Sequence, residues 1–199
     1  MKIKKLLLLS LLSIIVFSCK KDDTPEPFDA VEQARSDDNA LIEYLQSHYL
    51  NEEDGGIYTI NNGETALMNN VETQIIEKNE ISYKLYYLKQ QPEGVSNAPT
   101  EVDSVLTTYT GLLLDSTVFD SSKYLTWFSL TDVIEGWSHG FTHFKGGNRV
   151  LNDDESFYYE NSGSGLLLIP SGLAYGNRSQ GIIPPSSPLV FQITLNDVN

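Results

Sequence analysis

Apolar and polar residues alternate in regimes that change along the chain. Residues 6–17 are apolar apart from Ser10 and Ser13, too short a run to span a bilayer, which needs about 20 residues. From Asp37 to Leu50, the residues Leu41, Ile42, Tyr44, Leu45, His48 and Tyr49 recur at spacings of three and four. This predicts an amphipathic helix capped by Asp37 or Asp38 and ending near Asn51, ahead of Asp54-Gly55-Gly56. Beyond it the pattern shortens to that of strands: Ile57–Ile60, closed by Asn61-Asn62-Gly63, then Val71–Ile76, Ile81–Leu88, Val102–Leu114, Leu166–Ile169 and Leu189–Leu195. Between them Val133, Trp137, Phe141 and Phe144 share one face of a short helix. The fold class expected is α+β: a curved antiparallel sheet wrapped around one short helix, with a small N-terminal helix-plus-strand extension.

The ends of these regimes suggest a domain plan. Met1-Lys2-Ile3-Lys4-Lys5 and the apolar run form a signal peptide over residues 1–18, and Val16-Phe17-Ser18-Cys19 resembles the bacterial lipobox, in which the Cys is lipidated. The competing reading of Cys19 is a buried free thiol, and a single Cys rules out a disulfide scaffold in either case. Residues 19–36 read as a flexible tether, charged and Pro-containing at its start. Its Lys20-Lys21-Asp22-Asp23 resembles surface-export signals of some Gram-negative lipoproteins, or is solvated linker. Residues 37–80, too polar to bury a core alone, should pack on the main domain or pair with their copy in a homodimer. Residues 81–199 form that main domain, with 148–165 as an insertion.

Charge narrows the partners. The 199 residues carry 13 Lys and Arg against 27 Asp and Glu, a net charge of −14, and loss of the three Lys in residues 1–18 takes it to −17. Nucleic acid, which is held by clustered basic side chains, is therefore not an expected partner. Anionic lipid would repel such a chain, so the expected membrane contact is the lipid on Cys19.

Five ordered blocks across residues 81–199 resemble the FKBP-type peptidyl-prolyl cis-trans isomerases. They are Asp103-x-Val105-x-x-x-Tyr109-Thr110-Gly111; Thr117-Val118-Phe119-Asp120-Ser121-Ser122; Val133-Ile134-x-Gly136-Trp137-x-x-Gly140; Ile169-Pro170-x-x-Leu173-Ala174-Tyr175-Gly176; and Gly181-Ile182-Ile183-Pro184-Pro185-x-x-x-Leu189-Val190-Phe191. The resemblance implies a site in which Trp137 floors a pocket walled by Tyr109, Phe119, Val133, Ile134 and Phe191. It also implies that the Tyr175 hydroxyl and the Ile134 N–H hold substrate carbonyls, that Asp120 lies beside the twisting amide, and that Ile182 and Ile183 overhang the pocket. Such a site needs no cofactor or metal. The implied substrates are proline-containing unfolded or exported polypeptides, in the envelope of a Gram-negative bacterium, on the periplasmic or outer face of its outer membrane.

Other features compete with this reading or qualify it. From spacing alone Trp137 and Phe191 would be core fillers. His139 and His143 have a metal-like i, i+4 spacing but no third ligand beside them, and Asn152-Asp153-Asp154-Glu155 lacks the pattern of a calcium loop. The chain between Asp120 and Val133 is shorter than usual in the family, which leaves Thr126 or Trp127 where a second aromatic wall belongs. The insertion, with Phe157-Tyr158-Tyr159 and Ser162-Gly163-Ser164-Gly165, reads as a hairpin or flap. A shortened rim also admits a second function, a non-catalytic binding or chaperone lipoprotein that keeps the fold.

Overall fold

The computed structural model describes residues 27–90 and 93–199. The expected signal peptide and lipidated Cys19, with residues 19–26 of the expected tether, lie outside the described residues. Helix α1 (Ala30–Ser47) is followed by β1 (His48–Leu50), β2 (Ile57–Thr59), β3 (Glu72–Lys78), β4 (Ile81–Gln90), β5 (Ser104–Leu112) and β6 (Val118–Ser129). Helix α2 (Glu135–Phe141), β7 (Asn148–Leu151), β8 (Phe157–Glu160), β9 (Gly163–Ile169) and β10 (Leu189–Val198) complete the order.

Six strands form one antiparallel sheet in the order β3-β4-β9-β10-β5-β6, and β1-β2 and β7-β8 are separate two-stranded ribbons. The sheet has a helix on each face. On one face α2 packs with Tyr83, Leu85 and Tyr87 of β4, Leu167 and Ile169 of β9, and Phe191, Ile193 and Leu195 of β10. On the other, Leu41, Tyr44 and Leu45 of α1 cover Tyr86 and Leu88, Leu166 and Leu168, and Val190. The alternation along β4, β9 and β10 thus feeds two cores at once, and Leu166–Ile169 is an unbroken apolar run because both of its faces are covered. The α2 helix comes close to the sheet through Gly136 and Gly140, where a Cβ would strike Ile169 and Leu167.

Several boundaries differ from the expectation. The N-cap of α1 is Asp29, whose Oδ1 accepts from the N–H groups of Val31 (2.9 Å) and Glu32 (3.0 Å). Residues 30–36 are therefore helix rather than tether, and Asp37 is a buried mid-helix residue. The helix stops at Ser47 because His48 is extended (φ −122°, ψ 154°) and opens the β1-β2 ribbon. The 80/81 boundary falls inside the β3-β4 hairpin, whose turn holds Asn79 and Glu80 at φ 52° and 64°. The extension thus supplies an edge strand of the main sheet as well as the covering helix. The pattern also missed β6, an exposed edge strand whose apolar and polar residues do not alternate.

The insertion is a hairpin, β7-β8, and it ends before Gly163. Gly163–Gly165 belong to β9, where the absence of a Cβ lets the Leu88 carbonyl and the Phe144 ring close on Gly165. The Tyr159 hydroxyl ties the hairpin to Asp197 Oδ2 at 2.8 Å. Asp197 is six residues past Phe191 on β10, a distance of about 20 Å along the strand, so the hairpin stands far from the aromatic cavity at Phe191 and is no flap over it.

Candidate active site

A cavity of about 550 Å³ opens at the N-terminal end of α2, within the range of small-molecule and peptide side-chain sites. Tyr109 of β5, Phe119, Asp120 and Phe128 of β6, Val133 and Ile134 before α2, Trp137, Tyr175 and Phe191 line it. Two sequence features aim these groups inward. Phe119 is the extra residue of a bulge between the pairs Gly111–Asp120 and Leu112–Val118. Consecutive strand residues normally face opposite ways, and the bulge lets Phe119 and Asp120 both line the cavity. Gly111 makes the room, since a Cβ there would lie 2.5 Å from Phe119 Cζ and 2.9 Å from Phe191 Cε1.

Trp137 sits at the centre, 4% exposed. Its ring meets Tyr109 (5.0 Å, 85°), Phe128 (5.4 Å, 83°), Phe191 (5.2 Å, 76°) and Phe141 (5.1 Å, 68°) in edge-to-face contacts. These are the favoured geometry for aromatic quadrupoles and hold the indole rigidly. Its Nε1 is buried and has no hydrogen-bond partner among the described residues. The Tyr109 hydroxyl donates to Asp120 Oδ2 at 2.7 Å, and burial, reinforced by that carboxylate, pushes the Tyr109 pKa up, so the phenol stays a donor. Burial and the nearby Asp120 charge also raise the Tyr175 pKa. Among the described residues neither the Tyr175 hydroxyl nor the Ile134 N–H donates a hydrogen bond, so both are available to a bound carbonyl.

Eight of the expected residues therefore meet at one cavity: Tyr109, Phe119, Asp120, Val133, Ile134, Trp137, Tyr175 and Phe191. Ile182 and Ile183 do not line it. Reciprocal backbone bonds between Gln180 and Ile183 (3.0 and 2.9 Å) close a tight turn, which leaves Ile182 61% exposed and buries Ile183 in the core. The second aromatic wall is Phe128, not Thr126 or Trp127. Residues 123–125 bulge out between the pairs Thr107–Thr126 and Tyr109–Ser122, and Trp127 is left half-exposed on the strand. The missed residues also include Lys78 of β3, Arg178 and the acidic rim residues Asp132 and Glu135. Lys78 pairs with Glu135 at 3.0 Å, and no motif on its own strand could have pointed to it.

The other candidates have structural partners. His139 Nδ1 lies 2.7 Å from Glu101 Oε1, and His143 stacks on Tyr87 with its Nε2 2.8 Å from Gln74 Oε1. No group of three or more His, Cys, Asp or Glu able to hold a metal occurs among the described residues. Asn152–Glu155 form the turn of the β7-β8 hairpin, where the Asn152 N–H donates to the Ser156 carbonyl at 2.9 Å.

A half-wrapped antiparallel sheet, a short helix on its inner face and an aromatic cavity floored by a tryptophan together define the class of fold. Sequence comparison gives the class its family. The profile described as FKBP-type peptidyl-prolyl cis-trans isomerase matches residues 95–196, and the chain belongs to that family. It is 37% identical over 103 residues to the Pseudomonas aeruginosa protein named "probable FKBP-type 25 kDa peptidyl-prolyl cis-trans isomerase", covering 51% of this chain and 39% of the relative. It is 36% identical over 109 residues to the FKBP-type peptidyl-prolyl cis-trans isomerase FkpA of Escherichia coli K12, covering 53% and 34%. The chain thus matches well under half the length of these curated relatives. A peptidyl-prolyl cis-trans isomerase crystal structure from Pseudomonas syringae shares the fold, with a TM-score of 0.53 at 22% identity over 86% of this chain and 97% of that one.

Proposed function

We propose that the chain catalyses cis-trans isomerisation of Xaa-Pro peptide bonds in unfolded or exported polypeptides. The observation that carries this reading is Trp137, buried and ringed by Tyr109, Phe128 and Phe191, with the Tyr109–Asp120 hydrogen bond beside it. The barrier to rotation, about 18–20 kcal/mol, comes from amide resonance. A twisted amide has lost that resonance: its nitrogen is pyramidal and its carbonyl is more ketone-like. A site that binds this form better than either planar isomer lowers the barrier without covalent chemistry. The proline ring rests on Trp137 between Phe119, Phe128 and Phe191. The Ile134 N–H and the Tyr175 hydroxyl each hold a carbonyl, so that one side of the amide is fixed while the other turns. The Asp120 carboxylate, oriented by Tyr109, offers a dipolar environment to the twisting group in place of the water that the aromatic walls exclude. Apolar walls favour an apolar residue before the proline.

The signal sequence and Cys19 support export and a lipid anchor, which would put this activity on polypeptides newly arrived in the cell envelope. Among the described residues no helix is long and apolar enough to cross a membrane. The test is isomerisation of a short Xaa-Pro peptide by the full chain purified in detergent, beside Asp120→Ala and Tyr175→Phe. Turnover that falls in both variants supports the enzyme. A folded protein with no turnover refutes it and leaves the non-catalytic binding module.

A further inference from the structure

Asp37 is a buried carboxylate that the aromatic cavity does not use. It is 1% exposed, and among the described residues no cation pairs with it. Gln33 Nε2 donates to its Oδ1 at 2.7 Å, and the Ser171 N–H donates to its Oδ2 at 2.7 Å across 134 positions of sequence. Burial raises its pKa while these hydrogen bonds pull the other way. An uncompensated carboxylate is costly in a protein interior, and the long-range contact that this one makes is to Ser171.

Ser171 opens the turn Ser171–Leu173 that leads into Ala174 and Tyr175. The turn closes on the Ser171 carbonyl, which accepts from the N–H groups of Ala174 (2.9 Å) and Gly176 (2.8 Å). The next residue is held from the same side. Lys78 Nζ donates to the Gly172 carbonyl at 3.0 Å and also bridges to Glu135 in the first turn of α2. The Tyr83 ring fills the space that a Cβ on Gly172 would need. Residues of α1, β3 and β4 thus grip two consecutive positions of the turn that carries Tyr175 into the cavity wall. Among the described residues the Tyr175 hydroxyl makes no hydrogen bond, so its placement rests on its backbone and on the packing of its ring against the core.

We propose that Asp37 and Lys78 are positioning residues for Tyr175, so that the N-terminal extension completes the isomerase site by holding one of its walls. This rests on the isomerase reading of the cavity. Asp37 acts through the Ser171 N–H and touches no substrate. Lys78 acts through the Gly172 carbonyl and ties the Tyr175 turn to the N-terminal end of α2, so the two walls move as one.

The test is a double-mutant cycle on the full chain in detergent, read by turnover of an Xaa-Pro peptide and by amide hydrogen exchange at residues 171–176. Asp37→Leu should lower kcat/KM about five- to tenfold and speed exchange of the Ser171 amide. In a Tyr175→Phe background, which keeps the ring but lacks the hydroxyl, the same substitution should change kcat/KM by less than about twofold, because the donor whose placement it sets is already gone. Asp37→Asn keeps an acceptor for Ser171 and should restore most of the activity. An Asp37→Leu loss of equal size in both backgrounds, or no loss at all while the 171–176 amides exchange faster, overturns the inference. If Asp37→Leu fails to fold, Lys78→Met run through the same cycle decides it: a loss confined to the Tyr175 background supports it, and a loss equal in both overturns it. Absence of turnover in the unmodified chain would instead refute the isomerase reading. Slow Ser171 exchange lost in Asp37→Leu would then still report the clamp, so the two failures are distinguishable.

Discussion

Replacing Trp137 by Phe and by Ala separates what the indole does for the fold from what it does for the site. Trp137→Phe removes two buried ring carbons, at about 0.8 kcal/mol each, and leaves a small cavity, a loss of about 2 kcal/mol. It also removes the Nε1–H, which is buried with no partner and whose unmet desolvation costs about 1–3 kcal/mol in the native protein. The two effects oppose each other, so Trp137→Phe should change the unfolding free energy by less than about 1 kcal/mol. Trp137→Ala abandons all four edge-to-face contacts and should cost about 3–5 kcal/mol, a large part of the stability of a single domain. Urea unfolding followed by Tyr fluorescence and far-ultraviolet circular dichroism measures both. Turnover should follow a different order, because a smaller ring still floors the cavity but touches the proline less. Trp137→Phe should lose about three- to tenfold in kcat/KM, and Trp137→Ala, where it folds, about 10- to 100-fold. A Phe variant destabilised as much as the Ala variant would mean that the indole N–H is satisfied in solution. A Phe variant with full turnover would mean that the floor of the site lies elsewhere.

Gly111→Ala should push apart the Phe119 and Phe191 rings, which lie 2.5 and 2.9 Å from the new Cβ position. The overpacking should cost about 1–3 kcal/mol in denaturant unfolding and lower kcat/KM, since both rings wall the cavity. His143 should make stability fall with acidification below neutral pH. Burial lowers its folded pKa below the 6.5 of a free imidazole, so its contribution is complete above 6.5 and is lost as pH drops through the window down to the folded value. His143→Phe, which keeps a ring to stack on Tyr87, should flatten the slope of unfolding free energy between pH 7 and 5.5, and an unchanged slope would refute the assignment. Replacing residues 149–160 by a short Gly-Ser link should leave peptide turnover within about twofold, because the hairpin is anchored about 20 Å from Phe191 along β10; a larger loss with a stable fold would show that the hairpin reaches the site.

The parts of the site that are legible in the sequence are those whose geometry is local. Trp137 and Phe141 share a helical face that sequence spacing alone defines, and Val133, Tyr109-Thr110-Gly111 and Phe119-Asp120 sit in short blocks whose resemblance to the family carries their positions. Phe128 is not legible because the bulge at residues 123–125 stands between it and the last recognisable block, and a bulge resets the relation between sequence position and the face a side chain takes. Ile182 and Ile183 share a motif yet diverge in space, since a two-residue turn with Gly181 at φ 57° sends one outward and buries the other. Asp37 reads as a helix cap in the sequence because carboxylates usually sit at exposed N-termini. Its burial comes from the sheet that covers α1 and from the Ser171 N–H, both distant in sequence.

The same distinction explains why the extension reads as an appendage. Its hydrophobic content is too small for a core of its own, and sequence periodicity cannot tell an isolated helix from one that caps a sheet. The decisive signal lies in the partner: β9 presents Leu166 and Leu168 on one face and Leu167 and Ile169 on the other, and an antiparallel strand with one face in water alternates instead. A four-residue apolar run at the centre of the sheet therefore requires cover on both sides. The short helix α2 covers only the inner face, and α1 is the one other long amphipathic element among the described residues. Once α1 is placed on the outer face, β3 comes next as the strand that returns beside β4, and Asp37 and Lys78 arrive next to the turn that carries Tyr175. The cavity wall and the N-terminal extension are thus consequences of one requirement, that both faces of β9 be dry.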